Sequence, residues 1–178
     1  MKIYVTRHGE TVWNFENRLC GSTDIELTPK GIGQAQALAK TLGGRGIEAI
    51  IASPLKRARQ TAQILAQAIG LPVQTNARLR EQNYGKLEGE SCNSPAYIQQ
   101  KYQICRKMPG GESPMQMAQR IYNALDDIIA SHRGKTVLLV CHGSAARVLN
   151  TYFEDMTQQE FEAFYTDNCE LREYELPL

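Results

Sequence analysis

Thr136-Val137-Leu138-Leu139-Val140-Cys141-His142-Gly143 is the stretch from which the fold is read. Its first six residues carry no charge and are β-branched at their start, the pattern of a strand buried on both faces in a parallel sheet. A polar His-Gly pair follows at its carboxyl end. The chain opens in the same way, with Ile3-Tyr4-Val5 running into Arg7-His8-Gly9-Glu10-Thr11. Ala49-Ile50-Ile51-Ala52, a short buried strand, runs into Ser53-Pro54-Leu55-Lys56-Arg57. Ligands of open α/β sheets sit outside the carboxyl ends of the strands, so these three ends mark the candidate site.

Helical periods separate the strands. Thr28-Pro29 supplies an N-cap and a proline at N1 for a helix with Ile32, Ala35, Leu38, Ala39 and Leu42 on its apolar face, closed by Gly43-Gly44. Ser53-Pro54 caps a second helix, with Leu55, Ala58, Ala62, Leu65 and Ile69 on one face and Gly70 after it. Pro72 to Thr75 reads as a short strand. Ser113-Pro114 opens a third helix through Met117, Ile121, Leu125 and Ile128, ended by Gly134, and another starts at about Ala145. Thr157-Gln158-Gln159-Glu160 is a capping box, and Cys169 to Leu176 reads as an edge strand. The alternation predicts an α/β fold over residues 1–178: one three-layer α/β/α sandwich with a mostly parallel sheet and a short cap insertion near 86–112.

Composition removes several function classes. Twenty basic against nineteen acidic residues give a net charge of +1, so no global field attracts nucleic acid or an anionic membrane. No apolar run approaches the roughly 20 residues of a membrane span, and Met1-Lys2 leads into a strand without a secretory apolar region; a cytoplasmic location is expected. Five scattered cysteines, Cys20, Cys92, Cys105, Cys141 and Cys169, contain no Cys-x-x-Cys and argue against a disulfide framework or zinc cluster. Cys141 adjoins His142, but consecutive strand residues face opposite ways, so Cys141 reads as a core residue rather than a nucleophile. His8, His132 and His142 show no metal-ligand spacing, and neither metal nor cofactor is expected.

The three strand ends hold phosphate chemistry. A neutral imidazole can attack phosphorus, and the guanidinium of Arg7 offers a planar fork of donors for phosphate oxygens. Arg57 falls in the first turn of its helix, where free backbone N–H groups and the dipole favour an anion. Arg59 reads as part of a solvated basic face. The plainer reading of the Arg7-His8 pair is a solvated histidine in a surface loop, and that of His142 is a histidine packed at a strand end.

Six motifs together go further. Arg7-His8-Gly9-Glu10-Thr11 with Asn14, Leu27-Thr28-Pro29-Lys30-Gly31, Ser53 through Ala62, Glu81-Gln82-Asn83-Tyr84-Gly85, Pro109-Gly110-Gly111-Glu112-Ser113 and Val140-Cys141-His142-Gly143 resemble the ordered series of the histidine phosphatase superfamily, in its phosphoglycerate-mutase-like branch. The chain is most similar to the small broad-specificity or alpha-ribazole-type phosphatases of that branch. The resemblance implies that His8 is the phosphorylated nucleophile, that Arg7, Arg57 and a protonated His142 form the phosphate pocket, and that Glu81 is the acid/base. It implies Asn14, the Gly143 backbone, Thr28 and Tyr84 as further substrate contacts. By composition alone, Glu10 and Glu112 rival Glu81 as the carboxylate.

The chain also departs from the family's mutases, which carry Glu-Arg-His-Tyr-Gly at the acid motif and a long insertion with extra basic residues after it. Here Gln82 and Asn83 stand in that motif, and only residues 86–109 separate Gly85 from Gly110. A short cap admits water to a phosphohistidine and favours hydrolysis. Tyr97, Lys101, Tyr102, Arg106 and Lys107 would line or cover the site, or else form a solvated amphipathic helix. The expectation is a metal-independent phosphomonoester hydrolase for a small phosphorylated metabolite. The alternatives are a cofactor-dependent phosphoglycerate mutase and a non-catalytic phosphate-binding module on the same fold. A homodimer is left open.

Overall fold

The computed structural model describes residues 1–176, so Pro177 and Leu178, the end of the expected domain, lie outside the described residues. Strands β1 (Lys2–Arg7), β2 (Ala49–Ala52), β3 (Val73–Thr75), β4 (Thr136–Cys141) and β5 (Leu171–Glu175) form one sheet in the order β3-β2-β4-β1-β5. The neighbours run parallel except β5, which pairs antiparallel with β1. Helices α1 (Val12–Phe15), α2 (Pro29–Ala39), α3 (Lys56–Ile69), α4 (Pro95–Ile98), α5 (Pro114–Ser131), α6 (Gly143–Phe153) and α7 (Gln158–Ala163) complete the chain.

The two-residue period of the strands sorts the core into two faces. Val137, Leu139 and Cys141 join Ile3, Val5 and Ile51 under Met117, Ile121 and Leu125 of α5 and Leu149 of α6. Leu138 and Val140 join Tyr4, Ile50 and Ala52 under Leu38 of α2 and Ala58, Ala62 and Leu65 of α3. This is why β4 has no polar face: helices cover it from both sides. Each of the Val, Leu, Ile and Met side chains among them contributes about 1.5–3 kcal/mol on burial.

Register then places the site. Thr6 and Ala52 both lie beside Val140, so β1, β4 and β2 end at one level. The residues after them leave the sheet together: His8 N donates to Cys141 O at 3.1 Å and Ser53 N to Val140 O at 2.9 Å.

Local differences from the sequence reading have physical causes. Gly31 of α2 is buried and Ile32 is 40% exposed, because the first turn of α2 packs on the loop after β1; a Cβ at residue 31 would lie 2.2 Å from the Glu10 carbonyl oxygen. Helix α3 begins at Lys56 with Leu55 as an N-cap that makes no side-chain bond, so Ser53 does not cap it. Helix α6 begins at Gly143, two residues earlier than its periodicity suggests. Between Gly85 and Gly110 the chain forms α4 and turns rather than an amphipathic helix, and Leu87, Tyr97 and Met108 bury a small core against Leu19 and Tyr84.

Candidate active site

His8 stands at the end of β1, 3% exposed. Its Nδ1 lies 2.7 Å from the Gly9 carbonyl oxygen, which can only accept, so Nδ1 carries the proton and Nε2 keeps its lone pair. Arg57 Nε donates to that Nε2 at 3.2 Å. Burial, then Arg57 and Arg7, hold the imidazole well below the ordinary histidine range, so it is neutral near pH 7. Asn168 Nδ2 donates to the His8 carbonyl at 2.7 Å and Thr61 Oγ1 accepts from Gly9 N at 3.0 Å, which fixes the loop from both sides.

Arg57 is fully buried at the head of α3. Its Nη1 donates to Thr23 O (2.9 Å) and its Nη2 to Gly21 O (2.8 Å) and Cys20 O (3.2 Å), so the 20–23 loop lies across the guanidinium. The first turn of α3 is not left open to an anion as its sequence position suggests: the Asp24 carboxylate already accepts from Lys56 N at 2.5 Å. Arg59 is exposed.

Arg7 and His142 each keep one atom unpaired. Arg7 Nη1 donates to Tyr165 OH (3.0 Å) and Thr166 O (2.9 Å), while its Nε is buried without a partner among the described residues. His142 Nε2 meets Ser53 Oγ at 2.7 Å, and its Nδ1 is likewise buried and unpaired. Its ring centre is 5.1 Å from that of His8. Buried polar atoms are normally satisfied, so these orphans near His8, with Thr166 Oγ1 as a third among the described residues, mark a place for a polar ligand. His142 is not the protonated imidazole the sequence reading expects. Burial, then Arg57, His8 and Arg7, push it well below the ordinary range, which favours the neutral ring near pH 7.

Glu81, 7% exposed, reaches the same place from the irregular segment before Tyr84. Its Oε2 accepts from Ser144 N at 3.0 Å, and its Oε1 from Ala145 N at 3.2 Å and from Gln82 N at 2.9 Å. The first turn of α6 thus holds a carboxylate, matching the positive end of its dipole. A cleft of about 510 Å³ is lined by Arg7, Asn14, Glu81, Tyr84 and Gly143 among others, whereas His8, Arg57 and His142 are buried and not among its lining residues.

Comparison with known proteins supplies the lineage. Residues 3–177 match the model of the histidine phosphatase superfamily (branch 1). The chain belongs to that superfamily. It is 40% identical over 152 residues to "Probable phosphoglycerate mutase GpmB" of Yersinia pestis (strain Pestoides F), covering 82% of this chain and 71% of the relative. YhfR of Bacillus stearothermophilus superposes with a TM-score of 0.89 at 32% identity, covering 99% of this chain and 91% of that one. A mycobacterial glucosyl-3-phosphoglycerate phosphatase complexed with VO3 superposes with a TM-score of 0.87 at 29% identity, covering 97% and 91%. A solved structure named as a phosphatase thus shares this α/β fold, and a relative named as a probable mutase is similar in sequence.

Within this histidine phosphatase fold, not every residue picked from sequence reaches the cleft. Asn14 lines it, with its amide oxygen tied to Thr11 N at 3.1 Å, which leaves the amide NH2 as the donor on offer. Tyr84 lines it with its hydroxyl on Ser144 Oγ at 2.8 Å. Thr28 does not: its Oγ1 caps α2 at Gly31 N and donates to Glu10 Oε1 at 3.0 Å. Of the rival carboxylates, Glu10 lines the cleft but is paired with Lys30 at 2.7 Å, and Glu112 lies outside it. Tyr97 and Lys101 line the cleft, whereas Tyr102, Arg106 and Lys107 do not, and the Tyr102 hydroxyl donates to Glu162 O.

Sequence reasoning missed Tyr165, Thr166 and Asn168, together with Arg18 and Arg147 on the cleft wall. The signal for the first three was available. A strand antiparallel to β1 enters the sheet at the carboxyl end of β1, so the polar residues just before β5 must arrive beside Arg7 and His8.

Proposed function

We propose that the chain is a phosphomonoester hydrolase that works through a phosphohistidine on His8. The observation that carries this reading is a neutral, buried imidazole with its Nε2 lone pair directed to Arg57, beside the unpaired Arg7 Nε and His142 Nδ1. Nε2 attacks phosphorus while Arg57 Nε transfers its hydrogen bond from Nε2 to a phosphate oxygen. The bond from phosphorus to the leaving oxygen breaks, and that oxygen takes a proton from Glu81. Water then attacks the phosphohistidine and gives its proton to the Glu81 carboxylate; the N–P bond breaks and inorganic phosphate leaves. Arg7, Arg57 and a His142 that donates from Nδ1, with Nε2 accepting from the Ser53 hydroxyl, neutralise the equatorial oxygens, a task that metal ions serve elsewhere. The 510 Å³ cleft suits a small phosphorylated metabolite.

A second reading, a phosphoglycerate mutase, is favoured by the 40% identity to the protein named GpmB. A phosphomonoester panel, assayed with and without 2,3-bisphosphoglycerate and with a chelator, separates the two. Hydrolysis that needs neither the bisphosphate nor a metal is expected. Labelled substrate is expected to leave acid-labile, base-stable phosphate on wild-type protein and none on His8→Ala. Label on a serine or cysteine, or full turnover by His8→Ala, overturns the reading, and bisphosphate-dependent isomerisation without hydrolysis installs the mutase in its place.

A further inference from the structure

Pro109-Gly110-Gly111-Glu112-Ser113 lies away from the cleft, yet it packs on the segment that carries Glu81. Glu112 and Arg120, both side chains 19% exposed, form a two-pronged pair, Arg120 Nε to Oε2 at 3.0 Å and Nη2 to Oε1 at 2.5 Å. The remaining donors of Arg120 go to main-chain carbonyls: Nη1 to Arg78 O (2.6 Å) and Arg80 O (2.8 Å), Nη2 to Glu81 O (2.9 Å). All five guanidinium hydrogens are therefore engaged. Glu112 completes the frame on the other side of Glu81, its Oε1 accepting from Asn83 N and its own N donating to Asn83 O, both at 3.0 Å. The approach is close enough that a Cβ on Gly111 would lie 2.1 Å from Asn83 O.

Residues 80–84 belong to no helix or strand, so no ladder of backbone bonds holds them. A partly buried ion pair is by itself weak evidence for stability, because desolvation offsets much of its attraction. Directional donors aimed at the carbonyls of 78, 80 and 81 answer a different need. We propose that Glu112 and Arg120 are positioning residues that clamp the backbone on both sides of Glu81 and so hold its carboxylate against the first turn of α6, over the reacting phosphate. This inference rests on the acid/base role proposed for Glu81. A misplacement of about 1 Å at a reacting group costs on the order of 100-fold, which sets the scale of the expected effect.

Arg120→Lys keeps the charge and removes the planar fork. Glu112→Gln keeps the volume and weakens both prongs. Each is compared with wild type, Glu81→Gln and the corresponding double variants, using an alkyl phosphate and p-nitrophenyl phosphate, inhibition by inorganic phosphate, and thermal unfolding. Glu81→Gln is expected to lose about 10²- to 10⁴-fold in kcat on the alkyl ester and visibly less on the activated one. The two clamp variants are expected to lose about 10- to 100-fold on the alkyl ester, with KM and phosphate inhibition changed by less than about threefold. Their double variants with Glu81→Gln should be no slower than Glu81→Gln alone. Additive losses in the doubles, equal losses on both esters with weakened phosphate binding, or full activity in both folded clamp variants overturns the clamp. If Arg120→Lys fails to fold, Glu112→Gln and its double carry the same comparison. Equal losses on the two esters in Glu81→Gln alone overturn the acid assignment instead, and the double variants still report whether the clamp acts through Glu81.

Discussion

At the residue scale the site works by contrast between satisfied and unsatisfied atoms. Arg57 is bonded on every side, to three loop carbonyls and to His8, whereas Arg7 Nε and His142 Nδ1 have no partner among the described residues. Loss of either kind should slow the reaction by removing a charge-assisted or buried donor that tightens as charge develops. Arg57→Ala and His142→Ala should each lower kcat/KM by about 10²- to 10³-fold, and exposed Arg59→Ala by less than about threefold, measured with p-nitrophenyl phosphate. Equal effects at Arg57 and Arg59 would place the wrong arginine at the phosphate. A pH profile tests the nucleophile. Since His8 is held well below the ordinary range by burial and by Arg57 and Arg7, it stays unprotonated as pH falls. The acid limb of kcat/KM should therefore lie below about 6.5, and an inflection at that value would show an ordinary, solvated imidazole.

At the element scale the helix N-termini divide the work. The first turn of α3 is taken by Asp24, that of α6 by Glu81, and that of α2 by its own N-cap, Thr28. Thr28 therefore belongs to stability rather than to substrate binding. Thr28→Ala should cost about 1 kcal/mol, read as a lowered urea midpoint, with KM unchanged within about twofold. A KM rise of tenfold without a stability loss would return Thr28 to the cleft. The strand ends obey a similar division. Ser53 looks like a helix cap in sequence, but the backbone leaves β2 so that its hydroxyl faces His142.

At the scale of the whole molecule, burying two neutral histidines links activity to acid sensitivity. Above about pH 6.5 neither the folded nor the unfolded chain protonates them. Below it the unfolded chain binds protons that the folded one refuses, because His8 and His142 are both depressed in the native state. Unfolding is then favoured as pH falls, by up to about 1.4 kcal/mol per pH unit for each histidine. Urea melts between pH 7 and pH 5 should show this loss, and His8→Asn with His142→Asn together should flatten it; an unchanged slope would mean that the two rings titrate normally. The strands, their mostly parallel sheet, the helices that cover them and the place of His8 at a strand end were legible in the chain alone, because periodicity, caps and the motif at each strand end are local properties. So were Arg57 and His142, since strand ends in such a sheet converge. The partners of these residues were not legible. That Arg57 spends its donors on the 20–23 loop, that burial and neighbouring charge push His142 down, that residues 165–168 reach Arg7, and that Glu112 pairs with Arg120 and the Glu81 segment all follow from long-range packing. Hydrogen-bond partners and burial are decided by segments far apart in sequence, and only the closed tertiary structure brings those segments together.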